Sequence, residues 1–594
     1  MKKSASFAAL VLCLFCLPSQ FSARGAAARV AAAVDSSGPA PVLLNVMEQE
    51  LKRAMGALSK ADPAPYYLSY AATDKNNITI VGSHGALMST TVRHTRMVDV
   101  SVRVAGPELD NTHGESRGSG IANALLPLND DPDAIARVLW QTTDKEYKTA
   151  ARAYLQVKTN TAVRAQEEDT SADFSREQPE SRVAAVRPPP RIDVGAWEQK
   201  LRKFSAVFRA HPDVYGSSVT LVVDDTARYF VSSEGSRIVS HRPSARLIAV
   251  AETRANDGME LLRSENFDDA TLDRLPSDAE VMARIEKMAG DLEKLRVAPV
   301  VEPYNGPALL SGRAAAVFFH EVLGHRVEGH RQRGIQEGQT FTKKLNQQVL
   351  PAFLSVVDDP TVQQLNGVDL SGSYDYDEEG VRARKVEVVR DGVLKDFLLS
   401  RLPIHGFENS NGHGRGEAGM MPVGRQGNLI VSSTQTLSDS QLRARFIEEL
   451  KKQNKPYGLY FEDIAGGFTL TTRQLPQAFQ ILPLMVWRVY ADGRPDELVR
   501  GVDIVGTPLA ALTRIIAAGD KQQVFNGVCG AESGAVPVAA VAPALLFSEI
   551  EVQKRRQTQD RPPILPAPGA PVKKAGARDA APTAPSAPGK GGRP

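Results

Sequence analysis

Cysteine is nearly absent from this chain, which has three in 594 residues. Two of them, Cys13 and Cys16, lie in an apolar N-terminal segment, so a chain processed after that segment keeps one thiol, Cys529. A single thiol excludes an intramolecular disulfide. Cys529 is therefore a buried small side chain, an intermolecular bridge or a metal ligand.

An excess of charge of one sign is also missing. The chain has 71 basic and 69 acidic side chains and a formal net charge of +2, which gives no sign of a nucleic-acid-binding surface. Long apolar runs are missing as well, since no segment after the N-terminus approaches the roughly 20 apolar residues that span a bilayer. We therefore expect no nucleic-acid partner and no integral membrane span after signal removal.

The first 33 residues have the pattern of a secretory signal. Lys2 and Lys3 give a positive start, an apolar run follows from Phe7 to Leu17, and small residues cluster between Ser22 and Ala28. We expect a signal peptide at residues 1–33 and an exported protein, periplasmic or secreted. The alternative is a signal anchor that stays attached.

The rest of the composition, 42% hydrophobic and 24% charged, is that of a globular protein. We predict an α+β fold, in which N-terminal helix-on-sheet domains precede a C-terminal domain that is rich in antiparallel β-strands and carries one motif helix. The predicted segments are an N-terminal α+β domain at 41–115, a central α/β region at 116–300 with a polar linker near 164–190, a β-rich domain at 301–556, and a disordered Pro/Ala/Gly-rich tail at 557–594.

Local patterns place the main elements. Apolar spacing predicts a helix over Pro41–Leu58, and alternation predicts a strand over Met88–Val104. A further helix signal begins near Ser311. The pair Asp391-Gly392 lies between two apolar runs within Val386–Leu399, which is a strong hairpin signal.

The motif with the clearest chemistry is His320-Glu321-x-x-x-His325. Adjacent His and Glu on a helix are typical of zinc peptidases, whose second His lies four residues after the first. Here it lies five residues on, and a regular α-helix would point the two rings about 140° apart. The rings share one ion only if the helix widens as a π-bulge or breaks at Gly324. The alternative is a buried helix with two exposed histidines at its C-terminal end.

Cys529 is a candidate third ligand. A catalytic zinc site needs three protein ligands and an open position, so two histidines need a partner. A thiolate binds zinc well, and this thiol lies between Gly527 and Gly530, where the backbone can approach closely. The alternative is that Cys529 is a small buried apolar side chain.

These residues resemble the signature of the TldD/PmbA family of zinc metallopeptidases, the modulator of DNA gyrase family. The resemblance covers roughly Glu302–Val552 and implies that His320, His325 and Cys529 bind zinc and that Glu321 is catalytic. It also includes the stretches Glu328-Gly329, Asp377 to Gly380, Asn411 to Arg415, Ala465 to Gly467 and Asn526 to Gly530.

The resemblance further implies a homodimer, or a heterodimer with a related family subunit, that acts on unfolded peptides in an internal cavity. His330 stands where many relatives have Asp. This departure leaves open whether His330 supports the site or is an alternate ligand.

We therefore predict zinc-dependent hydrolysis of peptide bonds in unfolded peptides or small proteins, with Glu321 as the general base that activates a water. Asn411, Arg415 and Tyr460 are candidate substrate-lining residues. Three alternatives stay open: a catalytically silent scaffold subunit that partners an active relative, a peptide-binding module, and a different metal in the same site.

Overall fold

The computed structural model describes residues 41–555 except 115–117, 119, 164–169, 186–190, 334–336 and 476–477, together with residues 562, 563, 565 and 568. The predicted signal peptide at 1–33 and nearly all of the predicted tail at 557–594 lie outside the described residues. Among the helices described, none is both long enough and apolar enough to cross a membrane.

The N-terminal half is one seven-stranded sheet covered by helices, with strand order β3-β2-β1-β5-β6-β4 and β7 paired with β6. The same half contains short 3-10 turns at Ala206–Ala210 and Leu272–Arg274. In chain order the elements are α1 (Val42–Leu58), β1 (Pro65–Ser83), β2 (Ala86–Val104), β3 (Ile121–Leu125), α2 (Pro132–Val163), β4 (Ser181–Val183), α3 (Val194–Ser205), β5 (Gly216–Ser232), β6 (Arg237–Arg254), β7 (Glu260–Asp269) and α4 (Asp278–Val297).

The predicted regions 41–115 and 116–300 share this sheet. Strand β1 pairs with β5 from Ser69 opposite Ser232 to Gly82 opposite Val219. Because side chains alternate along a strand, each long strand has two faces. On β6, Leu247 and Ala249 pack under the helices, whereas Arg246 and Ile248 line a cavity on the other face.

Within the predicted polar linker near 164–190, the described residues around Phe174 are packed against the rest of the protein. Phe174 is buried and makes an edge contact with Tyr67, at 4.7 Å between ring centroids. The guanidinium groups of Arg103 and Arg401 lie 3.8 and 3.9 Å from the centroid of the Phe174 ring. The polar composition of this segment did not indicate that its Phe174 side chain is buried against residues distant in the chain.

The C-terminal half is built on an eleven-stranded sheet, ordered β13-β12-β9-β16-β22-β20-β18-β17-β8, with β19 paired to β18 and β21 paired to β22. Most pairs are antiparallel, so the predicted α+β class is confirmed. The elements are β8 (Tyr304–Leu310), α5 (Gly312–Val322), α6 (His330–Arg333), β9 (Leu354–Asp358), β10 (Gln364–Leu365), β11 (Val368–Asp369), β12 (Val386–Arg390), β13 (Val393–Leu394), β14 (Gly414–Arg415), β15 (Val423–Gly424), β16 (Asn428–Ser433), α7 (Asp439–Lys452), β17 (Tyr457–Thr469), β18 (Phe479–Tyr490), β19 (Glu497–Val499), β20 (Val502–Gly506), α8 (Pro508–Thr513), β21 (Ile515–Ala531) and β22 (Gly534–Lys554).

Helix α5 forms the centre of this half. The Ser311 side chain accepts a hydrogen bond from the amide of Ala314 at 3.1 Å and caps the helix start, as the helix signal predicted. All of its residues are buried, and the Phe318 ring lies 5.7 Å from Phe479 and 5.0 Å from Phe547. A helix that is buried on every side is a core helix, so its C-terminal end is fixed inside the protein.

Candidate metal centre

The motif helix breaks between its two histidines. Helix α5 ends at Val322, and residues Gly324–Arg326 form a 3-10 turn. This break brings the rings of His320 and His325 to 4.9 Å between centroids, at an angle of 78°. Of the two arrangements that allow a spacing of five, the structure shows the break at Gly324.

Gln426 packs directly against this break. A Cβ atom on Gly324 would lie 2.0 Å from Gln426 Oε1, so a larger residue here would displace the end of the buried Gln426 side chain. Gln426 Nε2 donates a hydrogen bond to the carbonyl oxygen of His320 at 3.3 Å. The last carbonyl groups of a helix have no amide donor within the helix. Gln426 supplies a donor for one of these carbonyl groups.

Cys529 reaches the histidines from the tip of the long β21–β22 hairpin, where it lies opposite Val536. Its Sγ atom lies 3.2 Å from His320 Nε2 and 3.3 Å from His325 Nε2. Arg425 Nη2 donates to the carbonyl oxygen of Cys529 at 2.8 Å and fixes the strand at this point.

The three donor atoms fit a tetrahedral zinc ion. They all lie within 4.8 Å of one another, and all three residues are buried. Zinc bonds of about 2.3 Å to sulfur and about 2.0 Å to nitrogen place the two donor types about 3.5 Å apart in a tetrahedron. The observed separations of 3.2 and 3.3 Å are within a few tenths of an ångström of that value.

The electrostatics favour the thiolate form of Cys529. Burial alone would raise the pKa of the thiol, but His325, His320 and Arg425 outweigh burial and hold that pKa well below its usual value. The same pairing raises the pKa of His325, against the effect of burial. Thiolate is the form of cysteine that binds metals.

Glu321 lies beside the donors without being one of them. Its Oε2 atom is 4.0 Å from His325 Nε2, and burial raises the pKa of this carboxyl above its usual value, partly opposed by His320 and His325. Strand β17 packs against it so closely that a Cβ on Gly467 would lie 2.6 Å from Glu321 Cγ. A carboxylate with a raised pKa is suited to accepting a proton near neutral pH.

Glu328 orients the second histidine. Its Oε1 atom lies 3.1 Å from His325 Nδ1, so the other ring nitrogen, Nε2, is directed at Cys529. Arg331 Nε donates to the second oxygen at 2.8 Å. Burial would raise the pKa of Glu328, but His325 and Arg331 outweigh it and lower that pKa to about 2. The sequence placed Glu328 in the motif without a role, and the signal was a carboxylate three residues after a candidate ligand.

His330 lies outside the three-donor group. Its Nε2 atom pairs with Glu532 near the hairpin tip, and Arg331 Nη2 donates to the other oxygen of Glu532 at 3.0 Å. The structure therefore assigns His330 to the contact that holds the hairpin tip, rather than to the ligand positions.

The candidate substrate-lining residues make structural contacts. Asn411 donates to the carbonyl oxygen of Phe397 at 2.7 Å. Arg415 donates to the carbonyl oxygens of Gln426 and Pro537 at 2.6 and 2.8 Å. Tyr460 packs with helix α7 on the face of β17 opposite to α5, because neighbouring residues of a strand face opposite ways.

The large cavity of the molecule, about 1120 Å³, lies between the N-terminal sheet and the C-terminal half. It reaches the β21–β22 hairpin through Val528 and Pro537, whereas His320, His325 and Cys529 are absent from its lining. Strand alternation puts Val528 and Cys529 on opposite faces of the hairpin. The hairpin therefore separates the cavity from the three donors.

Comparisons with known proteins find relatives that are named metalloproteases. Residues 303–554 match the family model described as PmbA/TldA metallopeptidase C-terminal domain. A protein named Metalloprotease from Methanothermobacter thermautotrophicus is 28% identical over 375 residues, which cover 61% of this chain and 74% of that protein. The Zinc metalloprotease TldD homolog of Saccharolobus solfataricus is 21% identical over 360 residues, covering 59% and 73%.

A solved structure shows the same fold. TldE from Thermococcus kodakarensis superposes with a TM-score of 0.55 at 12% identity, over 86% of this chain and 100% of that one. The resemblance to the TldD/PmbA family that the sequence indicated is confirmed. The family names, together with the His-His-Cys group, point to a metal at this site.

Proposed function

We propose that the protein is a zinc-dependent peptidase, because residues 303–554 match the PmbA/TldA metallopeptidase C-terminal domain. His320, His325 and Cys529 hold the zinc ion, and Glu321 is the general base. The observation that carries the proposal is the convergence of two imidazoles and a distant thiol, with their donor atoms within 4.8 Å of one another.

A zinc ion bound here supplies Lewis-acid activation of a water molecule and of the scissile carbonyl group. Glu321 accepts the proton of that water at its carboxylate and passes it to the leaving amine nitrogen. Cys529 contributes a negative charge, which makes the metal a weaker Lewis acid than a third imidazole would. Glu328 holds the imidazole of His325 with Nε2 towards the thiolate.

Unfolded peptides are the proposed substrates. His320, His325 and Cys529 are 5, 7 and 2% exposed, so the convex surface of a folded protein cannot reach them. An extended chain can enter a narrow site and pair its backbone with a strand edge, which is tolerant of sequence. The neighbouring β17 carries Gly467, where the backbone packs against Glu321.

We also propose export and self-association. The N-terminal pattern of Lys2, Lys3 and the following apolar run supports an exported enzyme. A homodimer, or a heterodimer with a related subunit, follows from the family resemblance.

Glu321→Gln tests the proposed function. The variant should keep its zinc and lose at least about 100-fold in cleavage of a denatured protein substrate, since it removes the general base. Glu449→Gln is a matched control, because Glu449 is also a buried carboxylate but pairs with Lys452 on α7. A zinc-loaded wild type that binds unfolded peptides and never cleaves them would contradict the proposal and favour the peptide-binding or scaffold alternative.

A further inference from the structure

The cavity between the two halves is lined by charged side chains from both. Strands β5 and β6 of the N-terminal sheet contribute Asp224, Arg228, Arg242 and Arg246 from one face. The opposite face of the same strands packs under the helices. The cavity is large enough, at about 1120 Å³, to hold a peptide segment of several residues.

Nearly every cation that lines this cavity has a carboxylate partner. An ion pair in a poorly solvated space offsets the desolvation of both groups, so these pairs leave no charge free for a ligand. The pairs are Lys75 with Asp224, Arg103 with Asp110, Arg182 with Asp375, Arg228 with Glu378, Arg246 with Asp268, and Arg274 with Asp269 and Asp369.

Arg242 is the exception among the described residues, since no carboxylate oxygen lies within 4.0 Å of its guanidinium group. Its Nη2 atom donates to the carbonyl oxygen of Ser371, a neutral partner that holds the side chain in place. Burial and the like charge of Arg415 lower the pKa of Arg242 to about 10, against the opposite charge of Glu378, which itself pairs with Arg228. An arginine that is held in place with no carboxylate in contact with it is arranged for an anion from outside the chain.

The position of Arg242 is tied to the metal-centre hairpin. The amide of Ser371 donates to Asn526 Oδ1 at 2.9 Å, and Asn526 lies three residues before Cys529 on β21. Three residues of a strand span roughly 10 Å. Because the residue spacing is odd, Asn526 and Cys529 face opposite sides of the hairpin. A group held by Arg242 therefore lies across the hairpin from the three donors, outside the cleavage site.

We propose that Arg242 binds the carboxylate of a peptide ligand in this cavity and so gives the protein a second, remote contact with its substrate. The choice of a peptide as ligand rests on the proposed peptidase function. The planar guanidinium group matches a carboxylate in a two-point hydrogen-bonded pair. The carboxylate is either the C-terminus of the peptide or an acidic side chain, and both present the same chemistry.

The test measures binding in the Glu321→Gln background, where no cleavage is expected. The probes are three N-acetylated, unlabelled peptides, whose binding is read by isothermal titration calorimetry: pentaalanine with a free C-terminal carboxylate, the same peptide with a C-terminal amide, and an amidated version whose last residue is glutamate. Adding Arg242→Gln should weaken binding of the free-carboxylate peptide, or of the glutamate peptide, by about 10- to 30-fold. The amidated pentaalanine should change by less than about twofold.

Arg182→Gln is the matched control, because Arg182 lines the same cavity but pairs with Asp375. It should alter all three affinities by less than about twofold. Arg242→Gln should melt close to its parent, since Arg242 makes no ion pair among the described residues. An equal loss for all three peptides, or no loss for any, would overturn the proposal. If a zinc-loaded wild type shows carboxylate-dependent binding but never cleaves peptides, the Arg242 site is supported and the proposed peptidase function is rejected.

Discussion

His320 Nε2 lies 3.2 Å from Cys529 Sγ, although 209 residues separate the two in the chain. The helix supplies one side of the candidate metal centre, and the tip of the β21–β22 hairpin supplies the other. Metal affinity should therefore depend on two features that a local motif does not contain: the break in the helix and the docking of the hairpin.

Gly324→Ala should weaken zinc binding by about tenfold or more. The new Cβ would lie 2.0 Å from Gln426 Oε1, so it displaces the buried Gln426 side chain, which donates to the carbonyl oxygen of His320 beside this turn. Metal sites tolerate little displacement of their ligands. Competition with a chromophoric chelator measures the affinity.

Gly290→Ala controls for the substitution itself. Gly290 lies in helix α4, and a Cβ there meets no atom within 4 Å. This variant should keep full zinc affinity and gain up to about 1 kcal/mol of stability from the higher helix propensity of alanine. Equal zinc affinities for the two variants would show that the fit at Gly324 is irrelevant to the site.

Glu328→Gln should lower zinc affinity by about 10- to 100-fold, since it weakens the contact that orients a ligand histidine. Its pKa of about 2 means that the carboxylate is charged at every practical pH, so the loss should persist from about pH 6 to pH 9. The control is Asp291→Asn, which removes a buried carboxylate that pairs with Lys287 and Lys294 on α4. An unchanged zinc affinity in Glu328→Gln would contradict the assigned role.

The sequence predicted the three donor residues but not their arrangement. The spacing of His320 and His325 left two distortions open, and the choice depends on Gln426, which packs over Gly324 from another part of the chain. Cys529 was identified as an unpaired thiol. Its position relative to the histidines is set by hairpin pairing with Val536, which local periodicity does not encode.

The same distinction holds for the fold. The Asp391-Gly392 signal correctly predicted a hairpin, observed as β12 and β13, because turn residues act locally. The polar composition of 164–190 did not reveal that Phe174 is buried by residues far away in the chain, among them Arg401. Contacts between residues that are distant in the sequence become visible only in the folded structure.

Asp463→Asn should destabilise the fold by about 3–5 kcal/mol, because it leaves buried arginines without their counter-charge. Asp463 lies on β17 and accepts hydrogen bonds from Arg263 at 2.7 Å and Arg313 at 3.4 Å, joining the N-terminal sheet, β17 and α5. The measurement is the free energy of unfolding in urea. Asp496→Asn, which breaks a partly exposed pair with Arg443, should cost less than about 1 kcal/mol. Comparable losses in the two variants would argue against a buried ionic link between the halves.

Glu146 should make stability fall as pH rises. Burial raises its pKa to about 8, and its Oε1 atom has no hydrogen-bond partner among the described residues. Between about pH 4.5 and pH 8 the folded state keeps a proton that the unfolded state has lost, so the free energy of unfolding declines with pH by up to about 5 kcal/mol. Thermal melting of wild type and Glu146→Gln across this range measures the effect. The melting temperature of the variant should not show this decline with pH. If the melting temperatures of the two proteins fall equally with pH, Glu146 is not the cause.

Zinc stoichiometry, measured by elemental analysis of the purified full chain, tests the central claim most directly. Wild type should hold about one zinc ion per chain, and so should His94→Ala, which changes a histidine that pairs with Asp74 in the N-terminal sheet. His320→Ala and Cys529→Ser should each lose most of the metal while remaining folded by circular dichroism. Full zinc occupancy in both of these variants would contradict the proposed site.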